Sequence, residues 1–68
     1  MRLDKRKVEV ALARKCMQKK AFTDAGMPSL SYDRCVKGED VRVTTAGRFA
    51  RLLGVDVAEL MLDQEGGT

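Results

Sequence analysis

The chain contains no histidine, tryptophan or isoleucine, and its only aromatic residues are Phe22, Tyr32 and Phe49. Without histidine it lacks the usual general base of enzymes and the commonest metal ligand. The sequence also offers no nucleophile–base pair, no phosphate-binding glycine loop and no paired carboxylates, so we expect no enzyme, cofactor or metal site. No apolar stretch approaches the about 20 residues that a membrane span requires, and no membrane partner is expected.

Cysteine is scarce as well, with Cys16 and Cys35 forming neither a CxxC pair nor part of a metal-ligand cluster. Both lie among apolar residues at helical spacing, which predicts two buried, reduced thiols and leaves a disulfide as the alternative. The basic start MRLDKRK is not followed by the apolar core of a secretion signal. These features together favour a cytoplasmic protein.

What the chain does contain is typical of one small folded domain. Of its 68 residues, 44% are hydrophobic and 34% charged, which excludes a disordered tail. A chain this short buries only roughly 60% of its unfolded surface, so it cannot enclose a deep pocket beside its core. We therefore expect a single domain over residues 1–62, a polar and frayed tail over residues 63–68, and no small-molecule effector.

The net charge of +3 is distributed unevenly. Residues 1–20 contain eight Lys or Arg against two acids, which gives +6, whereas residues 21–68 contain five against eight, which gives −3. This asymmetry favours one side of the molecule that faces a polyanion. The alternative is that small soluble helices simply carry charge, and composition alone does not separate the two.

Apolar residues recur at helical spacing and predict an all-α fold of five short helices, the first running from Asp4 to about Cys16. Glycines at positions 26, 38 and 54 are placed to end helices two, three and four, and Pro28 suits the first turn of helix three. The positions predicted to face the core are Val8, Ala11, Leu12 and Cys16 in helix one, Ala21, Phe22 and Ala25 in helix two, Tyr32, Cys35 and Val36 in helix three, and Ala46, Phe49, Ala50 and Leu53 in helix four.

Side-chain caps define the last two predicted helices. Thr44 or Thr45 is a plausible N-cap of helix four, and Asp56 with Glu59 three residues later reads as a capping box for helix five. Residues 41–43 alternate like a strand but are too few to form one. One core is predicted from Leu12, Phe22, Tyr32, Cys35, Phe49, Leu53 and Leu60.

The most informative pattern is a helix over residues 18–25, a turn over residues 26–28, and a second helix from Ser29 to Lys37. Two helices joined by such a short turn form a helix-turn-helix, whose second helix fits the DNA major groove. The chain resembles the Cro/C1-type (XRE) helix-turn-helix repressors of phages and bacteria over about residues 8–62. The resemblance lies in Gln18 at the start of helix two, the spacing of Gly26, Gly38, Ala50, Leu53, Gly54 and Leu60, and the ending Arg48–Val55 followed by Glu59–Met61.

Some positions depart from the family pattern. The usual Ser or Thr before the recognition helix is Pro28, and the usual Arg–Glu pair between helices one and three is Ala11 and Val36. Because both partners are apolar together, no charge is left buried and unpaired. Glu39 and Asp40 stand where relatives often carry basic residues, which weakens the expectation of backbone contacts there.

The resemblance implies a compact five-helix domain that binds double-stranded DNA sequence-specifically and regulates transcription, most simply as a repressor that occupies its operator. Proteins of this type commonly bind as two-fold dimers on half-sites about one helical turn apart. Only the region near Met61 and Leu62 is available for such a dimer contact.

By the same resemblance, four residues fall at base-reading positions: Ser29, Leu30, Ser31 and Arg34. Arg34 can donate two parallel hydrogen bonds to guanine O6 and N7, and Leu30 can touch a thymine methyl. The alternatives are that Leu30 packs on Met27 and that Arg34 is a solvated charge paired with Asp33 or Asp40.

Five further residues are expected to contact phosphates: Gln18, Lys19, Lys20, Lys37 and Arg42. The first three begin helix two, where free N–H groups and the helix dipole favour an anion. A different class of function remains open, in which the domain is a helical protein-interaction module such as an antitoxin-like or scaffold subunit. Steep salt dependence of duplex binding would distinguish the DNA-binding protein from this alternative.

Overall fold

The computed structural model of the protein describes residues 1–62, so the predicted frayed tail over residues 63–68 lies outside the described residues. The all-α prediction is confirmed, since the described part contains four α-helices, one 3₁₀ turn and no strand beyond isolated bridges. These elements are α1 (Lys5–Lys15), α2 (Lys19–Asp24), α3 (Ser29–Lys37), α4 (Val43–Leu53) and the 3₁₀ turn Val57–Glu59. The predicted fifth α-helix is therefore only a short 3₁₀ turn. None of the helices in residues 1–62 is long and apolar enough to cross a bilayer.

Most helix ends lie where the sequence places them. The Asp4 carboxylate accepts hydrogen bonds from the N–H groups of Arg6 and Lys7, at 2.9 and 3.3 Å, and caps α1. Gly38 and Gly54 end α3 and α4 in the left-handed conformation, with φ of 77° and 87°. Glycine adopts this conformation at little cost, which explains why both helices end there.

The predicted cap of α4 is wrong, whereas the predicted bounds of α3, from Ser29 to Lys37, are confirmed. Neither Thr44 nor Thr45 caps α4, because the helix already begins at Val43 and the Arg42 carbonyl accepts the Ala46 N–H at 3.0 Å. Pro28 is the residue before α3, with an extended ψ of 140°, and does not lie in the first turn. Neither helix start has a side-chain cap hydrogen bond.

The core is built around an aromatic cluster. The Phe22 ring stacks on Phe49 with centroids 5.0 Å apart, and Tyr32 lies tilted against both rings at 5.0 and 6.0 Å. The buried hydrophobic residues of the described chain are Leu3, Val8, Phe22, Met27, Cys35, Val41, Ala46, Phe49, Ala50, Leu53 and Leu60. Five of the seven predicted core residues are thus fully buried, whereas Leu12 and Tyr32 pack at its margin.

The residues before α1 close the core from one side. The Asp4 N–H donates to the Leu60 carbonyl at 2.7 Å, and the Val41 N–H donates to the Met1 carbonyl at 2.8 Å. Between these two bonds the Leu3 side chain is 1% exposed. The terminal ammonium lies 2.6 Å from Asp40, and this hydrogen bond, with the ammonium charge, holds the pKa of the Asp40 carboxyl below its usual value.

Three side chains predicted to face the core are exposed instead: Cys16, Ala21 and Ala25. Cys16 follows the end of α1 with a left-handed φ of 53°, so it no longer continues the apolar stripe of that helix. Helix α2 has six residues and buries only Phe22. The prediction that both thiols are buried is therefore right for Cys35 and wrong for Cys16, and both are free.

Candidate nucleic-acid interface

Helices α2 and α3 are joined by residues 25–28, and this connection is well fixed. The N–H groups of Gly26 and Met27 donate to the carbonyls of Thr23 and Phe22, both at 3.0 Å. Gly26 has a φ of 100°, and a Cβ built there would meet nothing within 4 Å. The glycine is therefore required for its backbone angle, and the buried Met27 side chain anchors the turn to the core.

Helix α3 has an inner and an outer side. Cys35 is fully buried, with Tyr32 and Val36 half-buried beside it, as the sequence predicts. Burial raises the pKa of the Cys35 thiol to about 11. The predicted site residues Ser29, Leu30, Arg34 and Lys37 are all exposed, and Ser31 is half-buried. Leu30 is 62% exposed, so it is not the partly buried residue of the alternative interpretation.

One predicted phosphate contact, Lys19, is already engaged. Its ammonium lies 3.1 Å from an Asp33 carboxylate oxygen and 6.0 Å from the centroid of the Tyr32 ring. This ion pair links the first turn of α2 to the middle of α3. Burial, and secondly the Asp33 charge, raises the pKa of the Tyr32 hydroxyl. Lys19 therefore reaches a phosphate only by giving up Asp33.

Arg34 is paired with neither carboxylate that the sequence suggests. Asp33 holds Lys19, Asp40 holds the terminal ammonium, and no ion pair of Arg34 occurs within residues 1–62. The guanidinium of Arg34 instead borders a shallow cleft between α3 and the start of α4. It remains available to a ligand that approaches α3 from outside.

The clefts between α3 and α4 bring together residues that are distant in sequence. One is lined by Ser31, Arg34, Val41, Arg42 and Thr45. Its neighbour is lined by Met27, Pro28, Ser31, Thr44, Thr45 and Arg48. The structure thus joins the predicted Ser31, Arg34 and Arg42, and adds two threonines and Arg48, which sequence reasoning missed. The position of Arg48 outside the apolar stripe of α4 is a sequence feature that indicates its exposure.

The remaining predicted phosphate contacts, Gln18, Lys20 and Lys37, do not line these two clefts. Gln18 precedes α2 as an exposed cap residue that makes no side-chain cap bond. Lys20 and Lys37 are exposed on α2 and α3. The whole arrangement offers guanidinium, ammonium and hydroxyl donors on open surface, which suits binding of an extended anion. No group of three or more potential metal-ligating side chains comes together in the described chain.

Comparisons with known proteins add no family assignment. No protein-family model matches the chain, and neither a curated protein nor a solved structure matches it significantly. The case for a function therefore rests on the residues quoted above and on the geometry of α2, α3 and α4.

Proposed function

We propose that this protein is a sequence-specific regulator of transcription of the Cro/C1 type, which binds double-stranded DNA with α3 in the major groove. The observation that carries the proposal is the outer side of α3, where Arg34 and Lys37 are exposed while Cys35 fixes the opposite side in the core. An α-helix fits the width of the major groove, where base edges can be read directly. Occupation of an operator would make the protein a repressor.

Base reading falls to the exposed residues of α3. The Arg34 guanidinium has no carboxylate partner among the described residues, so it can form two parallel hydrogen bonds to guanine without breaking an ion pair. Ser29 and Ser31 supply hydroxyl groups that can donate or accept. The exposed Leu30 supplies an apolar contact for a thymine methyl.

Phosphate binding falls to the flanks. Lys20 and Lys37 are exposed, and Arg42 immediately precedes α4, whose first N–H groups lack a side-chain cap. Helix N-termini of this kind favour anions. Lys19 contributes less than Lys20, because its contact with Asp33 must be exchanged for a phosphate. Gln18 adds a neutral donor at the start of α2.

A dimer on a two-fold operator is part of this proposal. Met61 and Leu62 are 41% and 38% exposed, directly after the buried Leu60. They form a small apolar surface at the end of the described chain, where a second copy could pack. Dimers of helix-turn-helix proteins place their recognition helices about one turn of DNA apart.

A second candidate is the protein-interaction module, favoured by one observation. Leu30 in the first turn of α3 and Val43 at the start of α4 are 62% and 70% exposed. Large apolar side chains in such positions also suit contact with another protein. This module would bind random duplex poorly even at low salt, whereas a DNA-binding protein loses affinity steeply as salt rises.

The decisive experiment compares two classes of contact on a preferred duplex, obtained by selecting bound DNA fragments, and on a scrambled duplex. Arg34→Ala should reduce the binding free energy by about 1–3 kcal/mol on the preferred duplex only, and it should relax the selectivity at one base pair. Lys20→Ala should weaken binding to both duplexes equally, and it should lower the slope of log affinity against log salt concentration by about one unit. Lys19→Ala should change the affinity and the slope less.

Arg14→Ala is the matched control, because it removes the same charge from the exposed side of α1, away from the α3–α4 clefts. Its affinity for either duplex should stay close to that of the wild type. Equal weakening of both duplexes by Arg34→Ala would make Arg34 a phosphate contact. If Arg34, Lys19 and Lys20 can all be replaced without effect, the DNA-binding proposal is wrong and the second candidate takes its place.

A further inference from the structure

A second surface of the molecule combines apolar and basic side chains in a groove between α1 and the segment that contains the 3₁₀ turn. Its floor is formed by Val10, Ala11, Val55 and Leu60, and its edges carry basic side chains of α1. We call it the α1 groove. None of its lining residues belongs to the candidate nucleic-acid interface, so the two surfaces can be tested separately.

The floor of the α1 groove is incompletely covered. Leu60 is 1% exposed, and Ala11 and Val55 pack half-buried against the core. Val10, by contrast, lies in the middle of α1 and is 44% exposed. Burial of such an apolar strip favours binding only when the partner also contributes apolar surface.

The edges of the groove carry a strong positive charge. Arg6 and Arg14 lie one turn before and one turn after Val10, on the same row of α1. Arg6, Arg14 and Lys15 make no ion pair within residues 1–62, while the Lys7 ammonium donates to the Met61 carbonyl at 3.2 Å. Arg6, Arg14 and Lys15 thus outnumber the single carboxylate of Glu59 in the lining of the groove.

We propose that the α1 groove docks an acidic amphipathic segment of a partner protein. The apolar side of the segment covers Val10 and the floor, and its carboxylates pair with Arg6 and Arg14. Charge complementarity selects this occupant, because the same face of a second copy would bring the excess of Arg6, Arg14 and Lys15 against an identical positive excess and be repelled. A duplex backbone lying along the groove would pair phosphates with the arginines but leave Val10 uncovered, since phosphates offer no apolar surface. The proposal does not depend on DNA binding by α3.

The test uses the full chain and a fluorescent synthetic peptide that forms a helix with leucines at i, i+3 and i+7 and glutamates between them. Fluorescence anisotropy at physiological salt should report saturable binding to the wild type. The same peptide with glutamine in place of glutamate should bind at least about tenfold more weakly, because its charge contacts are lost. This comparison needs no variant protein and is independent of any effect on folding.

Two variants then locate the site. The double variant Arg6→Gln with Arg14→Gln should bind the glutamate peptide at least about tenfold more weakly. Val10→Ser should bind both peptides more weakly. The matched control is Lys20→Gln with Lys37→Gln, which removes the same charge from the other surface and should leave peptide binding unchanged. All these side chains are exposed, so each variant should unfold at the wild-type temperature.

Several results would overturn the proposal. Absence of saturable binding to the wild type would do so, as would equal weakening by the two double variants, which would indicate unspecific attraction. A loss of duplex affinity in Arg6→Gln with Arg14→Gln as large as in the control pair would assign the groove to nucleic acid. Self-association of the wild type that Val10→Ser abolishes would assign it to a second copy.

Discussion

The two halves of the fold use their residues differently. Helices α1 and α2 bury one residue each, Val8 and Phe22, whereas α3 and α4 together bury Cys35, Ala46, Phe49, Ala50 and Leu53. The first half carries the excess of positive charge, with +6 over residues 1–20. The second half therefore supplies most of the buried core, and a larger share of the side chains of α1 and α2 is exposed.

The contrast is sharpest between α1 and α4, since both have 11 residues. The buried residues of α4 follow the spacing i, i+3, i+4 and i+7, which forms one continuous stripe along the helix. In α1 the apolar side chains spread around the helix, so Val10 lies outside the core that Val8 enters. Of two helices of equal length, the one with six charged residues, α1, buries only Val8, whereas the one with two, α4, buries four residues.

The largest expected effect tests this contrast directly. Phe49→Ala should destabilise the protein by roughly 3–5 kcal/mol, because the ring is fully buried and stacks on Phe22. Val10→Ala in α1 is the comparison, and it should change the free energy of unfolding by less than about 0.5 kcal/mol, as exposed substitutions usually do. Chemical denaturation of both variants measures the difference. Similar losses for the two would mean that the halves contribute equally.

The next largest expected effect is a pH dependence of the free energy of unfolding, caused by Cys35 in the second half of the fold. Burial raises the Cys35 pKa from 9.0 to about 11, so the folded state favours the neutral thiol. The stabilisation this represents is fully present below about pH 9 and is lost as the pH rises to about 11. A difference of two pKa units corresponds to about 2–3 kcal/mol.

The measurement is the free energy of unfolding as a function of pH. Cys35→Ala should remove this part of the alkaline loss of stability, whereas Cys16→Ala should retain it, because Cys16 is exposed. Parallel profiles for the wild type and Cys35→Ala would contradict the burial of that thiol. Loss of the slope in Cys16→Ala would reverse the assignment of the two cysteines.

The same contrast explains which features can be predicted from the sequence. The stripe of α4 and the ends of α3 and α4 depend on local spacing and on glycine, so the sequence contains them. The burial of Leu3 and Val41 depends on hydrogen bonds between the segment before α1 and residues distant in sequence, such as Val41 and Leu60. Local periodicity carries no information about such pairings.

The candidate interface likewise contains one feature that the sequence predicts and another that depends on how the helices pack. The exposure of Arg34 follows from its position opposite the stripe of Tyr32, Cys35 and Val36 on the same helix, and the sequence predicts it correctly. The proximity of Arg48 and Thr44 to α3 depends on how α4 packs, which no local pattern specifies. The apolar spacing of α1 continues past Lys15 and so predicts a buried Cys16, but Cys16 adopts a left-handed conformation that is too uncommon in residues other than glycine to expect from sequence.

The smallest expected effect lies at that residue. Cys16 ends α1 with a φ of 53°, a conformation that costs residues other than glycine roughly 1–2 kcal/mol. Cys16→Gly should therefore stabilise the protein by about 0.5–1 kcal/mol, after the greater chain entropy of glycine in the unfolded state is subtracted. The substitution removes a weak hydrogen bond from the Cys16 thiol to the Ala13 carbonyl, at 3.7 Å.

Ala13→Gly provides the control of opposite sign, because the same residue type placed inside α1 should cost about 1 kcal/mol. Thermal unfolding of the two glycine variants separates the end of the helix from its interior. Labelling adds an independent reading: the exposed Cys16 of the wild type should react rapidly with a thiol reagent, and Cys16→Gly should leave only the slow reaction of Cys35. Destabilisation by Cys16→Gly as large as that by Ala13→Gly would place residue 16 in a helical conformation, and α1 would then extend beyond Lys15.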